Sequence, residues 1–137
     1  MSNATRDLWG DLSTEPFDEA ESPAFKLMRE QADLLRKKTD GKLEGHLVLS
    51  LDRNNHAFQA RFFIVAPALD YRYELFHVRQ RQLEYFPVEL YRGGEKVATC
   101  ANLQEFEETL SLALRSKATR TVLDQLRHVV DENRDSA

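Results

Sequence analysis

Cysteine is almost missing: Cys100 is the only one in 137 residues. A single thiol closes no internal disulfide and supplies no multi-cysteine zinc site, which implies a reducing, cytoplasmic setting. Glycine and proline are scarce, five and four residues, too few for a collagen-like or low-complexity chain. No apolar run approaches the roughly 18 residues of a membrane-spanning helix. The start, Met1 to Asp7, lacks the basic-then-apolar layout of a secretory signal. The histidines, His46, His56, His77 and His128, show no H-x-x-x-H or H-E-x-x-H spacing. Gly93-Gly94 reads as a hairpin turn with no helix directly behind it, so no phosphate loop is present. These absences point to no membrane partner, no metal and no cofactor.

What remains is ordinary globular material, 42% apolar and 31% charged, at a length that suits one domain with a modest core. The net charge of −4 is unevenly placed. Residues 1–21 hold Asp7, Asp11, Glu15, Asp18, Glu19 and Glu21 against Arg6, a net −5 that leaves the remaining chain at +1. This acidic arm spaces Leu8, Trp9, Leu12 and Phe17 along its length. It holds too few apolar groups for a core of its own. It is expected to be flexible or docked, with those four residues as anchors and Trp9 foremost. A single domain should span 22–131, with a frayed tail at 132–137.

Ser22-Pro23 reads as an N-cap followed by proline at the first helical position. Phe25, Met28, Ala32 and Leu35 recur behind it at helical spacing, with Leu27 and Leu34 widening the face. Arg36, Lys37 and Lys38 suit the last turn, and Gly41 is a suitable terminator. The period then changes to two: Leu43, Gly45, Leu47, Leu49 and Leu51, then Phe58, Ala60, Phe62, Ile64 and Ala66, across Asn54-Asn55. A turn centred there pairs Leu51 with Phe58, Leu49 with Ala60, Leu47 with Phe62 and Gly45 with Ile64. Every apolar residue then shares a face, and a one-residue slip would destroy that.

A third strand is expected from Tyr71 to about Gln80. Its adjacent Leu75 and Phe76 mean either two covered faces or a bulge. A fourth, Tyr85 to Tyr91, and a fifth, Glu95 to Ala101, flank Gly93-Gly94. A two-residue turn pairs Leu90 with Val97, Val88 with Thr99 and Phe86 with Ala101. Asn102 to Glu105 resembles a capping box before a second helix with Leu103, Phe106, Leu110, Ala113 and Leu114 on its core face. Ser116 to Thr119 interrupts it, and Val122, Leu123, Leu126, Val129 and Val130 carry a third helix or a bent extension. Consecutive strands without intervening helices mean an antiparallel sheet. The expected fold is a two-layer α+β sandwich. Its five-stranded, mainly antiparallel sheet carries one N-terminal and two C-terminal helices on one face.

The same register assigns the opposite face. It holds Glu44, His46, Val48, Ser50, Gln59, Arg61, Phe63 and Val65, with Tyr85, Pro87, Glu89, Tyr91, Lys96, Ala98 and Cys100. The candidate partner-binding face is Val48, Arg61, Phe63, Val65, Tyr85 and Tyr91, because that much adjoining apolar surface marks an interface. The arm, a second copy or a foreign protein would each cover it. Two other readings stand beside this one, the first of them on the same face. Glu44, His46, Arg61 and Glu89 carry the groups of a sheet-face nuclease. Arg79-Gln80-Arg81-Gln82 with Tyr73 and Tyr85 carries those of a nucleic-acid surface, against a pI of about 5.6 that lacks the basic footprint. Cys100 has no nucleophile's setting, and no catalytic constellation stands out. The expected role is a small non-enzymatic domain that binds a protein partner or another copy of itself, as an accessory or regulatory subunit.

Overall fold

The structure, a computed structural model, describes residues 6, 8–9, 22–54, 56–81 and 84–135, with residues 134 and 135 described in their backbone only. Helix α1 runs Pro23–Lys38. Its start follows from Ser22, whose Oγ accepts the Phe25 N–H at 3.2 Å, and from Pro23, which has no N–H to leave unsatisfied. Ala24, Phe25, Met28 and Ala32 form the buried stripe. At the other end Asp40, not Gly41, takes the first left-handed position, with φ 51°. Gly41 follows at φ 78°, and its N–H reaches the Arg36 carbonyl at 2.9 Å, which closes the helix as a Schellman turn. Buried Thr39 then sets the exit of the chain: its Oγ1 accepts the Leu43 N–H at 3.1 Å and lies 2.9 Å from the Leu35 carbonyl.

Strands β1 (Glu44–Asp52) and β2 (Ala57–Ala66) pair antiparallel in the expected register, including Leu51 opposite Phe58 and Gly45 opposite Ile64. Gly45 is required for a reason of packing. A Cβ there would stand 2.6 Å from the Ala32 Cα, so a glycine lets α1 lie directly on β1.

A 3-10 turn, Pro67–Leu69, leads into β3 (Tyr71–Arg81). Phe62 faces Phe76 while Phe63 faces Glu74, which leaves Leu75 as the extra residue of a bulge. The bulge resets the alternation. Phe76, Val78 and Gln80 face the helices, whereas Arg72 and Glu74 turn to the other side, and Leu75 and Phe76 are both buried. The Phe62 and Phe76 rings stack at 5.3 Å between centroids.

Strands β4 (Val88–Arg92) and β5 (Glu95–Cys100) complete a sheet of order β1-β2-β3-β4-β5. Here the expected register needs correction. Tyr91 pairs with Lys96, but Leu90 pairs with Ala98 and Val88 with Cys100, so Val97 is a second bulge. It stands 59% exposed. Beyond it the parity is reversed: Ala98 and Cys100 face the helices and Thr99 faces away. The packing reason is α2 (Leu103–Arg115), under which the buried Cys100 Sγ lies 3.4 Å from Thr109 Oγ1. Phe86 and Ala101 do not pair, because the strand begins at Val88.

Asn102 caps α2, accepting the Glu105 N–H at 2.9 Å, and Glu105 reaches back to the Ala101 N–H at 2.7 Å. Ser116, in an extended conformation, separates α2 from α3 (Lys117–Asp135). That elbow is tied to the sheet. Arg92 donates to Ser116 Oγ and Thr119 Oγ1 at 3.2 and 3.4 Å, and Thr119 donates to the Ala113 carbonyl at 2.8 Å. Helix α3 continues past the expected domain end at 131, where Lys42 pairs with Asp131 at 2.7 Å. Phe25 and Met28 of α1, Phe106 and Leu110 of α2, and Val130 of α3 join Phe62, Ile64, Val78 and Leu90 in one core. All three helices thus cover one face of the sheet. No described helix is long and apolar enough to cross a membrane.

Candidate functional site

Among the described residues, no helix or strand lies on the face away from the helices. Its outward positions are half-buried or exposed, Ala57 apart. The registers align its side chains in rows across the strands. Val48, Arg61, His77, Tyr91 and Lys96 form the central row; His46, Phe63 and Glu74 lie on one side of it, and Ser50, Gln59, Arg79, Glu89 and Thr99 on the other. Antiparallel pairing fixes this array, because opposed residues always share a face.

The array is internally matched. Arg79 donates to Asp52 at 2.6 Å, with both side chains about four-fifths buried. The bridge runs from β3 to β1 across β2, beside Ala57, which explains why that outward residue is only 6% exposed. Arg61 pairs with Glu74 at 3.5 Å, and Lys96 with Glu89 at 3.2 Å. Glu89 also accepts the Tyr91 hydroxyl at 3.3 Å. Rings take part too. His77 stacks on Tyr91 at 5.0 Å with the planes 3° apart, and the Arg72 guanidinium lies 4.4 Å over Phe63. The Arg79 guanidinium lies 5.5 Å from the Tyr91 centroid. Burial in the middle of this face lowers the His77 pKa from its ordinary 6.5; Glu74 opposes the shift, and Arg61 and Arg79 add to it. The neutral imidazole is therefore the favoured form beside Tyr91.

Of the six residues expected on the partner face, Val48, Arg61, Phe63, Val65 and Tyr91 lie on it. Tyr85 does not belong to the sheet; it stands in the coil ahead of β4, 51% exposed. Pro87 lies in the same coil. Leu8 and Trp9 of the arm are 84% and 81% exposed, so neither side chain is buried as an anchor. Leu12 and Phe17 lie outside the described residues. The nuclease set does not converge. Glu44 and His46 pair with each other at 3.1 Å on β1, while Glu89 on β4 is three strand spacings away, at least about 14 Å. Among the described residues no three His, Cys, Asp or Glu side chains are grouped to hold a metal.

Sequence reasoning missed His77, Arg72, Glu74 and Arg79 as members of the face. Their side could not be assigned until the Leu75 bulge chose between the two readings of β3. It also missed a cleft of about 510 Å³ on the opposite side. There α1, α2 and α3 meet over Phe62, Ile64 and Leu75, with Lys38, Arg115, Arg120 and Arg127 among its walls against Glu107 and Asp124. These groups come from segments far apart in the chain, and no local pattern joins them. No family model matches this chain, and no curated protein or solved structure matches it.

Proposed function

We propose that this chain is a small non-enzymatic protein-binding domain that docks a protein partner on the open face of its sheet. The observation that carries the reading is a set of apolar or aromatic side chains, Val48 on β1, Phe63 and Val65 on β2 and Tyr91 on β4, over which no described helix or strand lies. Surfaces of this kind, with apolar side chains set among paired charges, suit protein interfaces. The charge arrangement favours a protein over a polyanion. Arg61, Arg79 and Lys96 each lie against a carboxylate, and those carboxylates would repel phosphate. A partner strand or helix could instead exchange into the same ion pairs without leaving charges unmatched.

The test is photo-crosslinking from position 91, on β4 and away from the β1 edge, in cells of the source organism, followed by capture with Phe63→Ala/Val65→Ser. The reading expects one dominant cross-linked protein whose capture falls at least about tenfold in the double variant, with the melting curve preserved. Capture that survives the double variant, or that is lost only when residues 1–20 are deleted, assigns binding to another surface. A salt-dependent shift of RNA or DNA would favour the nucleic-acid alternative instead.

A further inference from the structure

The two edges of the sheet are finished differently. Strand β5 is six residues long, carries a bulge at Val97 and a lysine at 96, and lies against α2. These are devices that blunt an edge. Strand β1, at the other edge, is nine residues long and pairs with β2 without a register shift. It contains no proline, lysine or arginine, and its charged residues, Glu44 and Asp52, stand at its two ends. Helix α1 approaches it at Gly45, but farther along the strand Leu49 and Leu51 are each 48% exposed, although they point to the helix side of the sheet. A long, regular, apolar edge is a template for another strand.

We infer that β1 pairs antiparallel with β1 of a second copy about a two-fold axis at Leu49, joining the two sheets into one of ten strands. The inference does not depend on what binds the open face. Its support is the self-complementarity of the strand. With the axis at Leu49, Leu47 lies opposite Leu51 of the partner subunit, and Leu49 faces its own equivalent, so the exposed leucines complete an apolar layer. On the other face Val48 meets Ser50 of the partner subunit, and no like charges are set opposite one another. Neighbouring registers lose this match. An axis at Val48 sets Glu44 against Asp52 of the partner subunit, which is like charge against like. An axis at Ser50 sets Leu47 against Arg53 of the partner subunit. The contact of α1 with Gly45 lies four residues from the axis, about 14 Å along the strand. Such an interface is isologous, as closed dimers require.

Sedimentation of the full chain up to about 100 μM, where a micromolar dimer is nearly complete, gives the first readout. A dimer is expected, with Leu49→Lys weakening it at least about tenfold by placing an ammonium at the axis while the melting curve stays close to wild type. The second readout is mild oxidation of Leu49→Cys, which should form an intermolecular disulfide readily, because Leu49 faces its equivalent and Cys100 is buried. Val97→Cys, on the finished edge, should not. A chain that stays monomeric at these concentrations overturns the inference. So does a dimer that survives Leu49→Lys, one that cross-links at Val97 in preference to Leu49, or one dissolved by Phe63→Glu alone, which would place the junction on the open face.

Discussion

Phe62 and Phe63 are neighbours in β2, yet they belong to two different kinds of surface. Phe62 points to the helices, is 1% exposed and stacks on Phe76. Phe63 points the other way, is half-buried and lies under the Arg72 guanidinium. The helix side gains its stability from area removed from water, of the order of 2 kcal/mol for each large side chain fully buried. The open side is held by ion pairs and ring contacts, most of them screened by water and worth about 1 kcal/mol or less, the largely buried Arg79–Asp52 pair being the stronger exception. One face thus carries the fold, and the other is kept ordered with no described helix or strand over it. A surface arranged in this way is rigid before binding, which lowers the cost of docking.

The sharpest test of this contrast is the pair of alanine variants. Phe62→Ala should cost about 3–5 kcal/mol through lost burial and a cavity. Phe63→Ala should cost about 1 kcal/mol or less, since it leaves a half-open site that water can fill. Urea denaturation measures both. Equal losses would mean that the open face is as much a part of the core as the covered one.

Next in size is Gly45→Ala. The added Cβ meets the Ala32 Cα at 2.6 Å and its Cβ at 2.7 Å. These are backbone-fixed atoms, so α1 must move off β1. Overpacking of this kind costs about 1–3 kcal/mol, and the helix-to-sheet contact should show it as faster amide exchange in residues 24–32. A neutral result would mean that α1 rests less closely on the sheet than the structure has it.

How much of this was legible in the chain differs between the two hairpins, for a physical reason. In β1 and β2 the alternation runs unbroken through eighteen residues around Asn54-Asn55, so turn position and face agree, and the register follows from both. In β4 and β5 the alternation is short and the candidate faces are weakly distinguished. Val97 and Thr99 compete with Ala98 and Cys100, and only the packing of Cys100 under α2 decides between them. A bulge leaves little trace in so short a strand. In β3 it did leave one, the adjacent Leu75 and Phe76, which is why two readings of that strand stood together. Tyr85 was placed on the face by extending β4 back through Pro87, and Pro87 lies in the coil ahead of the strand. The candidate face was therefore legible where it rests on β1 and β2, and at Tyr91, but not on β3.

Smaller in effect is Asp52→Ala. It removes the carboxylate that holds Arg79 across β2 and leaves a guanidinium about four-fifths buried without that partner. A charged hydrogen bond in such a place is worth about 1–2 kcal/mol. Double-mutant analysis with Arg79→Ala should return a coupling of that size, and less at high salt. A coupling near zero would place this pair with the exposed ones, such as Lys96 and Glu89.

The smallest effect is carried by pH alone. His77 has its pKa lowered in the folded chain, chiefly by burial, so between that value and the unfolded 6.5 the unfolded chain binds the proton and the folded chain does not. Stability is then fully present above pH 6.5 and declines as the pH falls through the window beneath it, flattening once the folded imidazole protonates too. The loss is small because the ring is only half-buried and Glu74 favours the charged form. It is nevertheless specific to the open face. His77→Phe keeps the stack on Tyr91 and removes the titration, so its stability should be flatter than wild type from pH 6.5 downward. Proton NMR of the His77 ring gives the direct readout: a midpoint at or above 6.5 would mean that solvent reaches the ring freely, and that the centre of the open face is not ordered as described.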